Sequence, residues 1–420
     1  MFKLNNGLVK GSIILLLTFN IYGLLNFIFQ FSMARLLPVN EYGIIVTLFA
    51  MIYILGIFSE SISTILTKYS ANEKNKGKLK NILRRSLIKT IRISFLIFFV
   101  YLIIAIPLGR LLKIPYLALS LNGLMIIASF LLPVTRGIMQ GKKMFTKLGI
   151  NLIAESSIKI ILAIALVLFS FKFYGAIIAT VISSFIAFIF SYYSLRDIIN
   201  SKEKQAIVKN IYLYSKPVFF VTAVILIFYN MDVIIARIVF SEDLSSKYAI
   251  ASILAKVIFW GTQPIGKAMF PFAAENKKSG KDKPRNILIN SSLMVLLCIL
   301  FILILYYLFP SQIVTIFTGK QISESASVLF LLALAMTALS LTNLYSIYRL
   351  SVNKVRGYAY LLIFLIIEGL LLFIFSSNLI QFSIAFICSS AIFLIGSIFL
   401  YKLNESRSNN PRAQRRKKNS

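Results

Sequence analysis

Four stretches of this chain, Gly11–Ala34, Ile114–Thr135, Phe173–Leu195 and Ser325–Tyr348, each run for more than 20 residues without a charged side chain. As a helix, a run of that length crosses the ~30 Å hydrocarbon layer of a bilayer. The chain is 58% apolar and only 14% charged, against about 25% charged in soluble domains. A single soluble core would not collect its apolar residues into such blocks. The pattern predicts an all-α membrane protein.

Charge-poor runs and the breakers between them predict twelve transmembrane helices, over 11–34, 42–67, 87–108, 115–137, 148–171, 174–195, 214–238, 247–271, 287–309, 325–348, 357–376 and 380–401. Charges invade the starts of the third (Lys89, Arg92) and the fifth (Glu155, Lys159). Residues Met1–Lys10 carry two lysines, but the first span is too long for a signal-peptide core. It is expected to stay as an uncleaved helix.

Composition excludes much chemistry. The chain has no His, so a His base, a His-ligated metal and a Ser-His-Asp triad are out. Cys298 and Cys388 both lie inside apolar runs, where neither a thiolate metal site nor a disulfide framework is expected. No Gly-rich phosphate loop stands between a strand and a helix. The longest polar stretches, Lys68–Arg85, Arg196–Lys216 and Lys402–Ser420, hold roughly 20 residues each, too few for a soluble domain. No catalytic residue, metal or cofactor is expected, beyond H⁺ or Na⁺ as a coupling ion, and the protein is expected not to be an enzyme.

The net charge of +31 raises nucleic acid as a partner, and its distribution rejects that. With the N-terminus inside, the outer segments hold only Arg35, Arg110, Lys113, Lys172, Arg237, Lys247 and Lys320. The inner segments hold several times as many basic residues, spread over every loop. The positive-inside rule then places both termini in the cytoplasm of a multi-pass plasma-membrane protein. The basic cluster Arg407–Lys418 reads as a tail near anionic headgroups, with a regulatory contact as the sharper alternative.

The chain also resembles itself. Ala34-Arg35 ends one helix, a loop reaches Tyr42, and the next helix closes on Tyr69-Ser70-Ala71-Asn72-Glu73-Lys74. Ala236-Arg237, Tyr248 and Phe272-Ala273-Ala274-Glu275-Asn276-Lys277 repeat the pattern, 202 positions on at the arginines and 206 at the tyrosines. Six spans per copy is an even number, so both copies enter from the same side. The expected architecture is two six-helix bundles related by a pseudo-two-fold axis along the membrane normal. The expected division is an N-lobe over 1–200, a linker over 201–213, a C-lobe over 214–402 and a basic tail over 403–420.

An ionised side chain at mid-membrane costs ~2.5–3.5 kcal/mol on insertion scales, so each must face protein, water or a partner. Glu60, Glu155, Lys159, Asp232, Lys256 and Glu368 fall inside predicted spans. Asp232 and Lys256 lie at comparable depths on consecutive antiparallel helices, so an ion pair is open to them. Glu155 and Lys159 stand four apart in the favoured order and are expected to pair. Glu60 and Glu368 lack an evident cation, and are candidates to carry a coupling proton or Na⁺, the alternative being a Lys or Arg partner that packing brings to them.

Several segments resemble the oligosaccharide flippases of the polysaccharide-biosynthesis family. They are the first helix with Ala34-Arg35-Leu36-Leu37-Pro38-Val39-Asn40-Glu41-Tyr42-Gly43, then Arg136-Gly137-Ile138-Met139-Gln140-Gly141 with Asn151-Leu152, and Asn230-Met231-Asp232-Val233. The motifs also have a local reading: Asn40 can cap the second helix, Glu41 suits its N-terminal dipole, and Pro38 ends the first span. Lipid II flippases and multidrug and toxic-compound extrusion transporters share the architecture. The resemblance implies alternating access and a central cavity lined by helices one, two, seven and eight. The residues expected to line it or to meet an anionic headgroup are Asn26, Gln30, Arg35, Asn230, Asp232, Arg237, Lys256, Trp260 and Gln263.

The function so implied is translocation of an isoprenoid-linked oligosaccharide to the outer leaflet, by a monomer whose partners are that lipid and the bilayer. The alternative is a multidrug-extrusion-type, cation-coupled exporter. A membrane glycosyltransferase or polymerase would want carboxylates at an outer loop, where only Glu41, Glu242, Asp243 and Glu324 stand.

Overall fold

The computed structural model describes residues 6–206, 216–279, 284–352 and 358–408. The expected linker beyond residue 206 and the tail cluster from Arg412 onward lie outside them. The described residues hold no strand. The chain divides into two compact units, residues 1–215 and 216–420.

The first unit is built from α1 (Asn6–Leu36), α2 (Val39–Asn72), α3 (Lys76–Leu112), α4 (Tyr116–Gly141), α5 (Phe145–Leu166) and α6 (Lys172–Tyr193), with a short α7 (Arg196–Ile199) behind them. The second holds α8 (Lys216–Val239), α9 (Glu242–Ser279), α10 (Pro284–Leu308), α11 (Pro310–Thr318), α12 (Ser323–Ser351), α13 (Leu362–Ile374) and α14 (Leu379–Ser408). Ten of the described helical segments are long and apolar enough to cross a membrane. One of them, Phe145–Tyr193, contains both α5 and α6, and Tyr358–Ile374 is a shorter apolar helix. Those segments account for all twelve expected spans of a multi-pass membrane protein.

Helix ends depart from the expected span ends for a physical reason. The charges at Lys74–Arg85 mark the edge of the apolar layer, yet lysine and arginine are good helix formers. So α3 begins at Lys76, well before the expected residue 87, and Lys89 and Arg92 are exposed along it. Asn75 caps that start, accepting from the Gly77 and Lys78 amides at 2.9 and 3.3 Å. Asn40 does not cap α2, whose N-cap is Pro38 without a side-chain bond. Glu41 instead accepts from the Phe173 amide at 3.1 Å, at the start of α6. There the chain breaks α5 from α6 through a π-helical turn with Ser170 at φ 68° and Lys172 at φ 52°. The sequence reading missed α11, which Pro310 opens and Gly319 closes at φ 71°.

Within each unit the helices pair alike. In the first, α2 packs on α4, α3 on α4, α4 on α6, α5 on α6 and α1 on α5. In the second, α9 packs on α12, α10 on α12, α12 on α14, α13 on α14 and α8 on α13. Numbering the six long helices of each unit in order, the same five pairs recur. A hydrogen bond recurs too. The buried Tyr42 hydroxyl donates to Gln30 Oε1 at 3.1 Å, and the buried Tyr248 hydroxyl to Asp232 Oδ2 at 3.3 Å. Gln30 and Asp232 stand 202 positions apart, as do Arg35 and Arg237.

Gly137 and Gly141 let α4 lie against α2. Membrane helices gain from close backbone approach, for which paired glycines four apart are suited. Thr67 Oγ1 donates to the Gly137 carbonyl at 3.1 Å. A Cβ at Gly141 would meet Ser70 Oγ at 2.0 Å and the Thr67 carbonyl at 2.4 Å. Gly141→Ala is therefore expected to cost about 1–3 kcal/mol of stability, as overpacking against backbone does. Thermal unfolding of the purified protein reads this out, and an unchanged midpoint would show that α2 and α4 are free to part.

Candidate functional site

The second unit gathers a buried ionic cluster on three helices. Helical spacing puts Tyr248, Ser252 and Lys256 on one face of α9, at i, i+4 and i+8. Opposite them α8 presents Asp232. Lys256 Nζ lies 3.0 Å from Asp232 Oδ1, while Ser252 and Tyr248 donate to Oδ2 at 2.7 and 3.3 Å. Asp232 is 0% exposed and Lys256 3%. The ammonium also stands 4.7 Å from the Tyr229 ring centre. Tyr229 in turn accepts from the Trp260 indole at 2.8 Å.

Glu368 on α13 completes the cluster. It is 0% exposed, and neither carboxyl oxygen has a hydrogen-bond partner among the described residues. Asp232, Lys256 and Tyr248 all lie within electrostatic reach of it. The inventory is thus one ammonium for two carboxyls. A proton or a monovalent cation at Glu368 makes the set neutral, and its departure leaves one negative charge in a medium of low dielectric.

The first unit carries a cluster of different make-up on α1, α4, α5 and α6. The expected Glu155–Lys159 pair is corrected here. Glu155 Oε2 is held by Arg136 Nη2 at 2.7 Å, and its Oε1 accepts from Ser184 at 2.8 Å. Arg136 Nε donates to Asn151 Oδ1 at 2.8 Å, and Asn151 donates to the Ala187 carbonyl at 2.8 Å. A pair at i, i+4 is worth only about 0.2–0.5 kcal/mol. A guanidinium that can satisfy acid and amide together displaces it. Lys159 turns to α1, where it donates to Asn26 Oδ1 and lies 4.7 Å from the Phe29 ring centre.

The remaining candidates sort by exposure. Arg237 leaves the accessible set: it is 1% exposed, bound to the Glu242 carbonyl and Ser245 at 3.2 Å, and clasps the end of α8 to the start of α9. Lys256 leaves it as well, buried and already paired. Asn230 is buried and donates to its own helix at the Leu226 carbonyl, 2.8 Å away. Arg35 is exposed at the end of α1, its guanidinium 4.6 Å from the Phe31 ring centre. Trp260 is 51% exposed, and Gln263 is half-buried. Glu60 is exposed, with no ion pair among the described residues. Sequence reasoning missed Tyr248 and Ser252, which the four-residue spacing to Lys256 signals. It also missed Arg136, which reads as one more inner-loop charge until α4 and α5 are packed.

Comparison with known proteins places these clusters. A family model described as polysaccharide biosynthesis protein matches residues 8–277. The chain belongs to that family. The match takes in the whole first-unit cluster as well as Asp232, Tyr248, Ser252 and Lys256, whereas Glu368 lies beyond it. An uncharacterized membrane protein of Methanocaldococcus jannaschii is 25% identical over 413 residues, 94% of this chain and 96% of that one.

Among solved structures, an inward-facing multidrug resistance MATE family transporter of the MOP superfamily aligns at a TM-score of 0.77 and 14% identity, covering 92% of this chain and 96% of that one. The outward-facing conformation of such a transporter aligns at 0.60 and 16% identity, covering 96% of each chain. A MOP superfamily transporter from Pyrococcus furiosus, with a binding pocket of reverse polarity, aligns at 0.61 and 16%, covering 95% of each. This member of the polysaccharide biosynthesis family therefore has the two-lobe fold of the MATE transporters.

Proposed function

We propose that the protein is a flippase that carries an isoprenoid-linked oligosaccharide from the cytoplasmic to the outer leaflet of the plasma membrane. It works by alternating access, as a monomer with both termini inside, and a proton or Na⁺ exchanging at Glu368 drives it. The observation that carries this reading is the family match over residues 8–277. The buried charges support it, because a static scaffold gains nothing from an ionisable group in a membrane interior, such as Glu368, that finds no hydrogen bond among the described residues. Exchange at Glu368 changes the net charge of its unit's core by one, and a group in low dielectric feels that change strongly. The two conformations of a carrier would then differ in how readily they hold the ion.

Depleting the protein from growing cells tests the reading. The expected result is build-up of lipid-linked sugar in the cytoplasmic leaflet. Normal leaflet distribution, with lost export of small organic cations, would support a multidrug exporter instead.

A further inference from the structure

Lys159 is a cation in the wrong place for a purely structural role. Counting 1.5 Å per residue, it lies roughly 20 Å along α5 from Phe145, deep in the apolar layer. Among the described residues no carboxylate lies within ion-pair distance of it. Glu155, one turn away, is occupied by Arg136 and Ser184. Arg136, Glu155 and Lys159 together therefore carry one unit of positive charge. The Lys159 side chain is half-buried rather than sealed.

Its neighbour is arranged to hold it ready. Asn26 Nδ2 donates to the Tyr22 carbonyl at 2.8 Å and to Ser156 Oγ at 3.4 Å, which turns Oδ1 toward the ammonium. An ammonium has three donors; among the described residues Asn26 Oδ1 takes one and the Phe29 ring faces the ammonium at 4.7 Å. A cation in low dielectric with a donor still to place is the natural complement of a phosphoryl oxygen.

We propose that Lys159, set by Asn26, is the anion site of the first unit and binds a phosphoryl group of the transported lipid. This rests on the flippase reading and names the residue that recognises the headgroup. Lys256 of the second unit cannot serve, since Asp232 already holds it in a buried pair. The two clusters then divide the work: net positive charge for the phosphate, excess carboxyl for the driving ion.

The test uses the full chain in phosphatidylcholine nanodiscs, with farnesyl pyrophosphate and inorganic pyrophosphate as probes. Asn26→Asp is the informative variant, because it places a carboxylate beside the ammonium and cancels its charge. Farnesyl pyrophosphate is expected to bind the native protein, and Asn26→Asp and Lys159→Met to weaken it by ~10-fold or more. Lys159→Arg, which keeps the charge, should stay within ~3-fold. Equal affinity for inorganic pyrophosphate, lost in the same variants, would keep the anion site and overturn the lipid as its source. No binding of either probe, or native affinity in an Asn26→Asp protein with a native melting point, would overturn the site. The flippase reading fails separately, if depletion leaves the leaflets unchanged while these binding losses stand.

Discussion

Replacing Lys256 with Met is expected to cost the second unit about 3–5 kcal/mol, the penalty for leaving a buried carboxylate without its cation. Asp232 is completely buried, and its only ion pair among the described residues is with Lys256 at 3.0 Å. Ser252 and Tyr248 would still donate to it, but two neutral hydrogen bonds do not replace an ammonium. Glu368 worsens the case, because the variant leaves two buried carboxyls in electrostatic reach of one another without the Lys256 ammonium. Adding Asp232→Asn to the same chain removes the stranded charge and should recover most of the loss. Thermal unfolding of the purified protein checks both, with a fall of roughly 10 °C for the single variant. Equal midpoints for the native and single-variant proteins would mean that the pair carries no structural load, and Lys256 would return as a substrate ligand.

Glu368→Gln is expected to leave the protein folded and abundant while abolishing its response to an ion gradient. Glutamine keeps the shape of the side chain and cannot ionise, so the cluster holds one charge state throughout the cycle. Flux driven by an imposed gradient should fall by ~10-fold or more, within the usual range of coupling free energies. Uncoupled exchange should persist. A Glu368→Gln carrier that still answers the gradient would acquit the residue and move the coupling group elsewhere. Glu60, exposed and outside either cluster, is the control for which no such loss is expected.

Much of the fold could be read from the chain because burial in lipid writes itself as long charge-free runs. The ends of α3 and α9 could not, since helix and membrane stop for different reasons. α3 starts where Asn75 caps it, not where the charges cease. At nine residues, α11 is too short for hydrophobic periodicity to register, although Pro310 and Gly319 frame it. In the site, the approach of Asp232 to Lys256 follows from two antiparallel helices entered at equal depth. The partner of Glu155 does not follow from any local rule. It depends on α4 delivering Arg136 across to α5, and only packing shows that. That packing also takes Glu155 from Lys159 as an ion-pair partner and leaves the ammonium on Asn26 and the Phe29 ring.

The most direct measurement is made on the purified chain alone in proteoliposomes, following a short-chain isoprenoid-linked oligosaccharide from one leaflet to the other under an imposed proton or Na⁺ gradient. The account predicts that the native protein moves the lipid faster with the gradient than without it, and that Glu368→Gln moves it at a gradient-independent rate. Lipid that stays in its starting leaflet in the presence of folded native protein, under either gradient, would contradict it.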